Sequence, residues 1–113
     1  MNGDARDDAE ENHARIAQQF IEAIPHARAL RMRVDKIGDG CAVISMPWDE
    51  HLVGDPRSGV IHGGVVSALM DTCCGAAVMA HSSQPRSTAT IDLRIDYMRA
   101  ARPGPRITAR AEV

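Results

Sequence analysis

Aromatic side chains are nearly absent. Phe20, Trp48 and Tyr97 are the whole set, 3% of 113 residues. Proteins that read single-stranded nucleic acid stack its bases on aromatic platforms, and this chain has almost none. Its formal net charge of −2 leaves no basic footprint, so no nucleic-acid partner is expected. Lysine is scarce as well: Lys36 stands alone among 13 basic residues, the rest being arginine. Three cysteines, Cys41, Cys73 and the adjacent Cys74, cannot build a disulfide framework. Reduced thiols are the expectation. No apolar run approaches the ~20 residues that span a bilayer, so no membrane partner is expected. The opening MNGDARDDAEENHAR is polar and acidic, the reverse of a secretory leader, which points to the cytoplasm.

What remains is an ordinary globular balance, 44% apolar and 25% charged. The length suits one domain, with a core of Val, Ile, Leu, Met and Ala. Residues 1–12 read as a flexible acidic tail, and residues 13–113 as the domain. From Ala14, Ile16, Phe20 and Ile24 recur at helical spacing, and Pro25 ends that short helix. Leu30, Met32 and Val34 alternate with charged residues, as in a strand. Gly38-Asp39-Gly40 is a turn signal, and residues 41–46 form the returning strand. The stretch 47–61, rich in Pro, Gly and Asp, reads as a long functional loop.

Residues 62–81, HGGVVSALMDTCCGAAVMAH, read as one helix about 30 Å long, apolar nearly all the way round. Such a helix needs a sheet wrapped around it. Alternation resumes over 88–98 and again over 106–113, giving four strand patterns in all. The fold class is therefore α+β, an antiparallel sheet around a long central helix, preceded by a short N-terminal helix. The last pattern runs to Val113. A sheet of these four strands would keep an unpaired edge, so a longer native chain, or another element on that edge, is expected.

Two features on this helix carry chemistry. His62, Gly63 and Gly64 sit where loop becomes helix. The first four N–H groups of a helix have no internal partner, and the helix dipole adds partial positive charge there. Bare glycine backbone lets a ligand oxygen approach, which is the arrangement of an oxyanion hole. A tight turn alone would ask for the same glycines. Asp71 lies two turns further on among apolar neighbours. Desolvation there would suit it to general-base work, whereas a solvent notch or a hydrogen bond to Ser67 would make it structural. Gly75, one turn beyond, fits close approach by another backbone or a ligand. Cys73 and Cys74 read as core packing. The histidines His13, His26, His51 and His81 show no metal-ligand spacing, so neither metal nor other cofactor is expected.

The run HGGVVSALMDTCCG resembles the helix motif of hotdog-fold acyl-CoA thioesterases, most of all the PaaI-like, phenylacetate-degradation group. VGDPRSGVIHGG resembles that group's loop into the helix, AIPHARALRMRV its N-terminal segment, and DLRIDYMRAARPG its strand and turn. The resemblance covers residues ~20–113. It implies a hotdog fold and hydrolysis of an acyl-CoA thioester. It implies that the Gly63 N–H polarises the carbonyl with Gly64 in support. Asp71 of a partner subunit then serves as general base or nucleophile. His62 matches the family histidine, with a role in helix-start geometry. Thr90 matches a strand hydroxyl that orients water, although strict alternation would turn it away from the helix; Thr88 is the fallback. Pro56 stands near where many relatives carry an asparagine. Arg99, Arg102 and Arg106 around Pro103-Gly104 could meet the phosphates of coenzyme A, or simply form a solvated turn. The resemblance further implies a homodimer, or a tetramer built as a dimer of dimers. Two rivals are a hydratase or dehydratase of acyl-thioesters and a non-catalytic acyl-CoA-binding protein. The first needs an acid–histidine pair that is not found. The second gains nothing from a buried acid.

Overall fold

The computed structural model describes residues 13–81 and 88–113; the acidic tail assigned to 1–12 lies outside them. Residues 13–22 are helical (α1). Pro25 does more than end this helix. It opens a second one, α2 (Pro25–Ala29). Proline is at home at a first helical position because the N–H it lacks would be unpaired there anyway. Ile24 before it is extended, at φ −86° and ψ 112°, as a residue preceding proline prefers.

The first strand, β1, spans Arg33–Gly38 rather than starting at Leu30. Leu30 caps α2, Arg31 adopts a positive φ of 55°, and the Met32 N–H bonds back to Ala27 O at 3.1 Å. The helix end thus claims the residues whose alternation looked like strand. At the Gly38-Asp39-Gly40 turn, Asp39 and Gly40 take positive φ of 52° and 75°. The chain returns as β2 (Cys41–Met46). The stretch read as a long loop is folded. A 3₁₀ turn over Glu50–Leu52 leads into β3 (Val53–Asp55), which pairs with β4 (Val60–Ile61) as a small hairpin. Helix α3 (Gly63–Met79) follows, and β5 (Ile107–Glu112) completes an antiparallel sheet of order β1-β2-β5.

Between α3 and this sheet lies the core. Leu69, Cys73 and Ala77, spaced four apart, are the buried stripe of α3. They face Ala42, Ile44 and Met46, each at 0% exposure on β2. The Cys73 Sγ–H lies within reach of two carbonyl oxygens, Ala42 O at 3.3 Å and Ala109 O at 3.4 Å, on neighbouring strands. Val65, Val66, Met70 and Val78 are only half-buried. An apolar circumference was expected to be covered on most sides, and the described residues fully cover a single stripe of it.

The edge of β1 is closed by a side chain. Gln18 on α1 accepts from the Val34 N–H at 2.6 Å and donates to Met32 O at 3.2 Å, doing what a neighbouring strand would do. The segment 88–98 departs most from expectation. It belongs to no ladder among the described residues. Ile91 is fully exposed, and Tyr97 and Met98 are 58% and 89% exposed. Alternation records a face to be buried, but a strand also needs a neighbour to bond with, and none of the described strands reaches it.

Helix α3 starts at Gly63 because His62 caps it. Its Nδ1 accepts from the Gly64 N–H at 2.9 Å, and its backbone is extended at ψ 133°. Removing this acceptor in His62→Ala should cost about 1 kcal/mol of folding stability in urea denaturation, whereas His62→Asn, a strong capping residue, should lose less than half of that.

Candidate active site

The β3–β4 hairpin delivers the start of α3. The His62 N–H donates to Leu52 O at 2.9 Å. A Cβ on Gly54 would stand 2.9 Å from the His62 Cα, so only glycine lets β3 pass this closely. The hairpin tip is locked. Asp55 accepts from the Arg57 N–H at 3.1 Å and the Ser58 hydroxyl at 2.9 Å, and the Trp48 indole donates to Gly59 O at 2.9 Å. Pro56 is therefore part of a closed turn.

At the helix start the two glycines have different duties. The Gly64 N–H is occupied by His62, whereas the Gly63 N–H has no partner among the described residues. Gly63 is thus the donor that a ligand oxygen can meet, at the positive end of the helix dipole. Sequence reasoning missed the residue that holds this turn from above. Tyr97 Oη lies 3.1 Å from Gly63 O and 2.5 Å from Ser67 Oγ, which is itself 3.2 Å from the same carbonyl. In the sequence Tyr97 is one more apolar position in an alternating run, and nothing local sets it apart.

Asp71 sits eight residues after Gly63 on the same helix, about 12 Å further along its axis at 1.5 Å per residue. It is half-buried rather than enclosed. The Thr90 hydroxyl donates to Asp71 Oδ1 at 2.6 Å. The strand geometry that would have turned Thr90 away does not apply, because residues 88–90 are in no ladder. Thr88 sits instead beside Gly75, its methyl 3.6 Å from where a Gly75 Cβ would be.

The three arginines are separated by their partners. Arg99 and Arg102 are exposed. The Arg106 Nε donates to Ser45 Oγ at 3.2 Å. Ser45 also bonds the Asp35 carboxyl. Partial burial pushes that carboxyl up, but the hydrogen bonds from Ser45 and Arg33, with the charges of Arg33 and Arg106, outweigh it and hold it below the usual range. The turn that bears Arg102 packs on the hairpin: Pro103 Cβ lies 3.3 Å from where a Gly59 Cβ would be. Burial pushes the Cys73 thiol up, which keeps it neutral and unsuited to nucleophilic attack.

The arrangement offers a fixed N–H donor at one end of a helix and a hydroxyl-supported carboxylate two turns away. A carbonyl polarised by the first and attacked with help from the second must lie within about 3 Å of each partner. A separation of about 12 Å along one helix does not allow that within one chain.

A family model described as the thioesterase superfamily matches residues 58–113. The chain is 33% identical over 105 residues to a protein of Halobacterium salinarum named as an esterase, covering 90% of this chain and 67% of that one. It is 28% identical over 107 residues to the medium/long-chain acyl-CoA thioesterase YigI of Escherichia coli, covering 83% of this chain and 68% of YigI. Its fold matches the Escherichia coli PaaI protein from the phenylacetic acid degradation operon with a TM-score of 0.72 at 26% identity, over 85% of this chain and 66% of that one. The helix motif, the sheet that packs on it and these likenesses agree: the chain belongs to the thioesterase superfamily, among the PaaI-like thioester hydrolases of the hotdog fold.

Proposed function

We propose that the protein hydrolyses acyl-CoA thioesters at a site shared by two copies of the chain. The observation that carries this reading is the placement of its two chemical ends. An open Gly63 N–H and a Thr90-supported Asp71 carboxylate share one helix, too far apart to act on one carbonyl. A two-fold pairing of α3 helices brings the Gly63 of one copy to the Asp71 of the other, and makes two such sites. The uncovered faces of α3 and of the segment 88–98 supply apolar surface for that pairing, in a dimer or a pair of dimers.

In this reading the thioester oxygen docks on the Gly63 N–H, and the growing negative charge is met by the positive end of the helix. Asp71 takes a proton from water as the water oxygen adds to the carbonyl carbon. Collapse of the adduct breaks the C–S bond, and the proton held by Asp71 goes to the departing thiolate. Direct attack by Asp71, followed by hydrolysis of the resulting anhydride, uses the same parts. Thr90 fixes the carboxylate orientation, and His62 fixes the helix start. Gly64 contributes by leaving space, since its N–H is already engaged. Arg99, Arg102 and the outer N–H groups of Arg106 face the coenzyme's phosphates. The medium/long-chain acyl-CoA activity in YigI's name supports the substrate class.

Asp71→Asn keeps the shape and removes the base, so turnover in a thiol-release assay should fall by about 10²-fold or more with the fold intact. Gly63→Val should cost about 3 kcal/mol of transition-state stabilisation. A Cβ at Gly63 already stands 3.5 Å from the Tyr97 ring, so the valine methyls would crowd the approach. Mixing the two inactive variants gives hybrid dimers with one doubly defective site and one intact site. Partial return of activity is the expected result, and no return in hybrids of verified composition would rule out the shared site.

A further inference from the structure

We infer that Tyr97 and Ser67 are positioning residues for the Gly63 donor, a pair of hydroxyls that keeps its N–H aimed. The inference rests on the thioesterase reading and adds to it two residues that do not themselves meet the substrate. An oxyanion donor works only if it is fixed before the charge develops. Gly63 is poorly suited to that by itself. Glycine has the freest backbone, and the first turn of a helix has no internal partners for its N–H groups. Two peptide units flank the Gly63 Cα, and both are held. In the unit before it, His62 O accepts from the Val65 N–H at 3.0 Å. In the unit after it, the Gly64 N–H donates to His62 Nδ1 at 2.9 Å, and Gly63 O meets Ser67 Oγ at 3.2 Å and Tyr97 Oη at 3.1 Å. Of the polar groups in these two units, only the Gly63 N–H has no partner among the described residues.

Counting hydrogens separates holding from catalysis. The two hydroxyls and Gly63 O form a closed triangle, with Tyr97 Oη 2.5 Å from Ser67 Oγ. Its three contacts share two hydroxyl hydrogens. Oxygens this close need one of those hydrogens between them, so the other lies on Gly63 O. Whichever way the bonds run, one hydroxyl grips Gly63 O and neither hydrogen is left for a ligand. Tyr97 is therefore not a second oxyanion donor. Its ring adds a wall, with Cε1 3.5 Å from where a Gly63 Cβ would stand. Ser67 belongs to the same helix, one turn on, and bonds back to the carbonyl four residues before it, as helical serines do. Tyr97 reaches in from 34 residues away. The other bonds around Gly63 come from residues 62–67, so Tyr97 is the brace from outside the turn.

The test exploits the redundancy of the pair. Tyr97→Phe leaves Ser67 to donate to Gly63 O, and Ser67→Ala leaves Tyr97 to do so. Each single variant should lower kcat by about threefold with KM nearly unchanged, and the double variant by about 30-fold or more, beyond the product of the singles. Both changes delete only a hydroxyl, at an exposed and a half-buried position. Ser67→Thr keeps the hydroxyl, so combined with Tyr97→Phe it should do no worse than Tyr97→Phe alone. Labelling the glycines with 15N gives a readout independent of turnover: the Gly63 N–H order parameter should fall from about 0.85 in the wild type to below about 0.6 in the double variant. A double variant no slower than the product of the singles overturns the inference, and so does a Gly63 order parameter that stays at the wild-type value. Either leaves the thioesterase reading in place, because the wild type still turns over. If the wild type releases no thiol from any acyl-CoA, the thioesterase reading falls and the order parameter alone decides: a loosened Gly63 keeps the brace, and a rigid one removes it.

Discussion

Everything in this structure depends on one helix that is apolar on more sides than the described residues cover. Leu69, Cys73 and Ala77 bury one stripe of α3 against β2 and β5, and the rest of the helix is left half-wet. That surplus of apolar surface has two consequences. It obliges the helix to find further cover, and it lets a carboxylate and a bare N-terminus sit on the same rigid rod. A 17-residue helix fixes the two groups relative to each other far better than loops could. The distance it fixes, about 12 Å along the helix axis, is too long for one carbonyl to meet both groups of the same helix.

Much of the fold was legible in the sequence because it rests on local rules. The helix start followed from glycines where loop becomes helix, the turn at 38–40 from its glycine-rich turn signal, and β2 as the strand returning from that turn. Two misreadings share one cause. The alternation at Leu30–Met32 and that at 88–98 both look like strand. The first is claimed by the end of α2, and the second has no neighbour to bond with among the described residues. Periodicity reports which faces are to be buried, whereas strand formation depends on another segment arriving at the edge.

The site was legible to a different degree. Asp71 and Gly63 stand out because a carboxylate and a bare glycine are conspicuous in an apolar helix. Thr90 was reached only through resemblance, and its contact with Asp71 relies on the chain leaving strand geometry at that point. Tyr97 had no local signal, since its partners Gly63 and Ser67 lie 34 and 30 residues away. The separate roles of Gly63 and Gly64 could not be read either. They emerge once the ring of His62 is seen to occupy one N–H and leave the other open.

The β1 edge and the segment 88–98 are held in two different ways. A bare strand edge invites pairing with another chain. At β1 that invitation is withdrawn, because the Gln18 amide occupies the Met32 carbonyl and the Val34 N–H. The same two bonds hold α1 against the strand. One polar side chain therefore both blocks an unwanted contact and sets the position of the apolar face carrying Ile16 and Phe20. The segment 88–98, by contrast, belongs to no ladder among the described residues, with Ile91 and Met98 in solvent while its Thr90 and Tyr97 hydrogen-bond Asp71 and Gly63, eight residues apart on α3. Any displacement of this segment must act on both anchors at once, so its position and the geometry of Gly63 and Asp71 are mechanically joined.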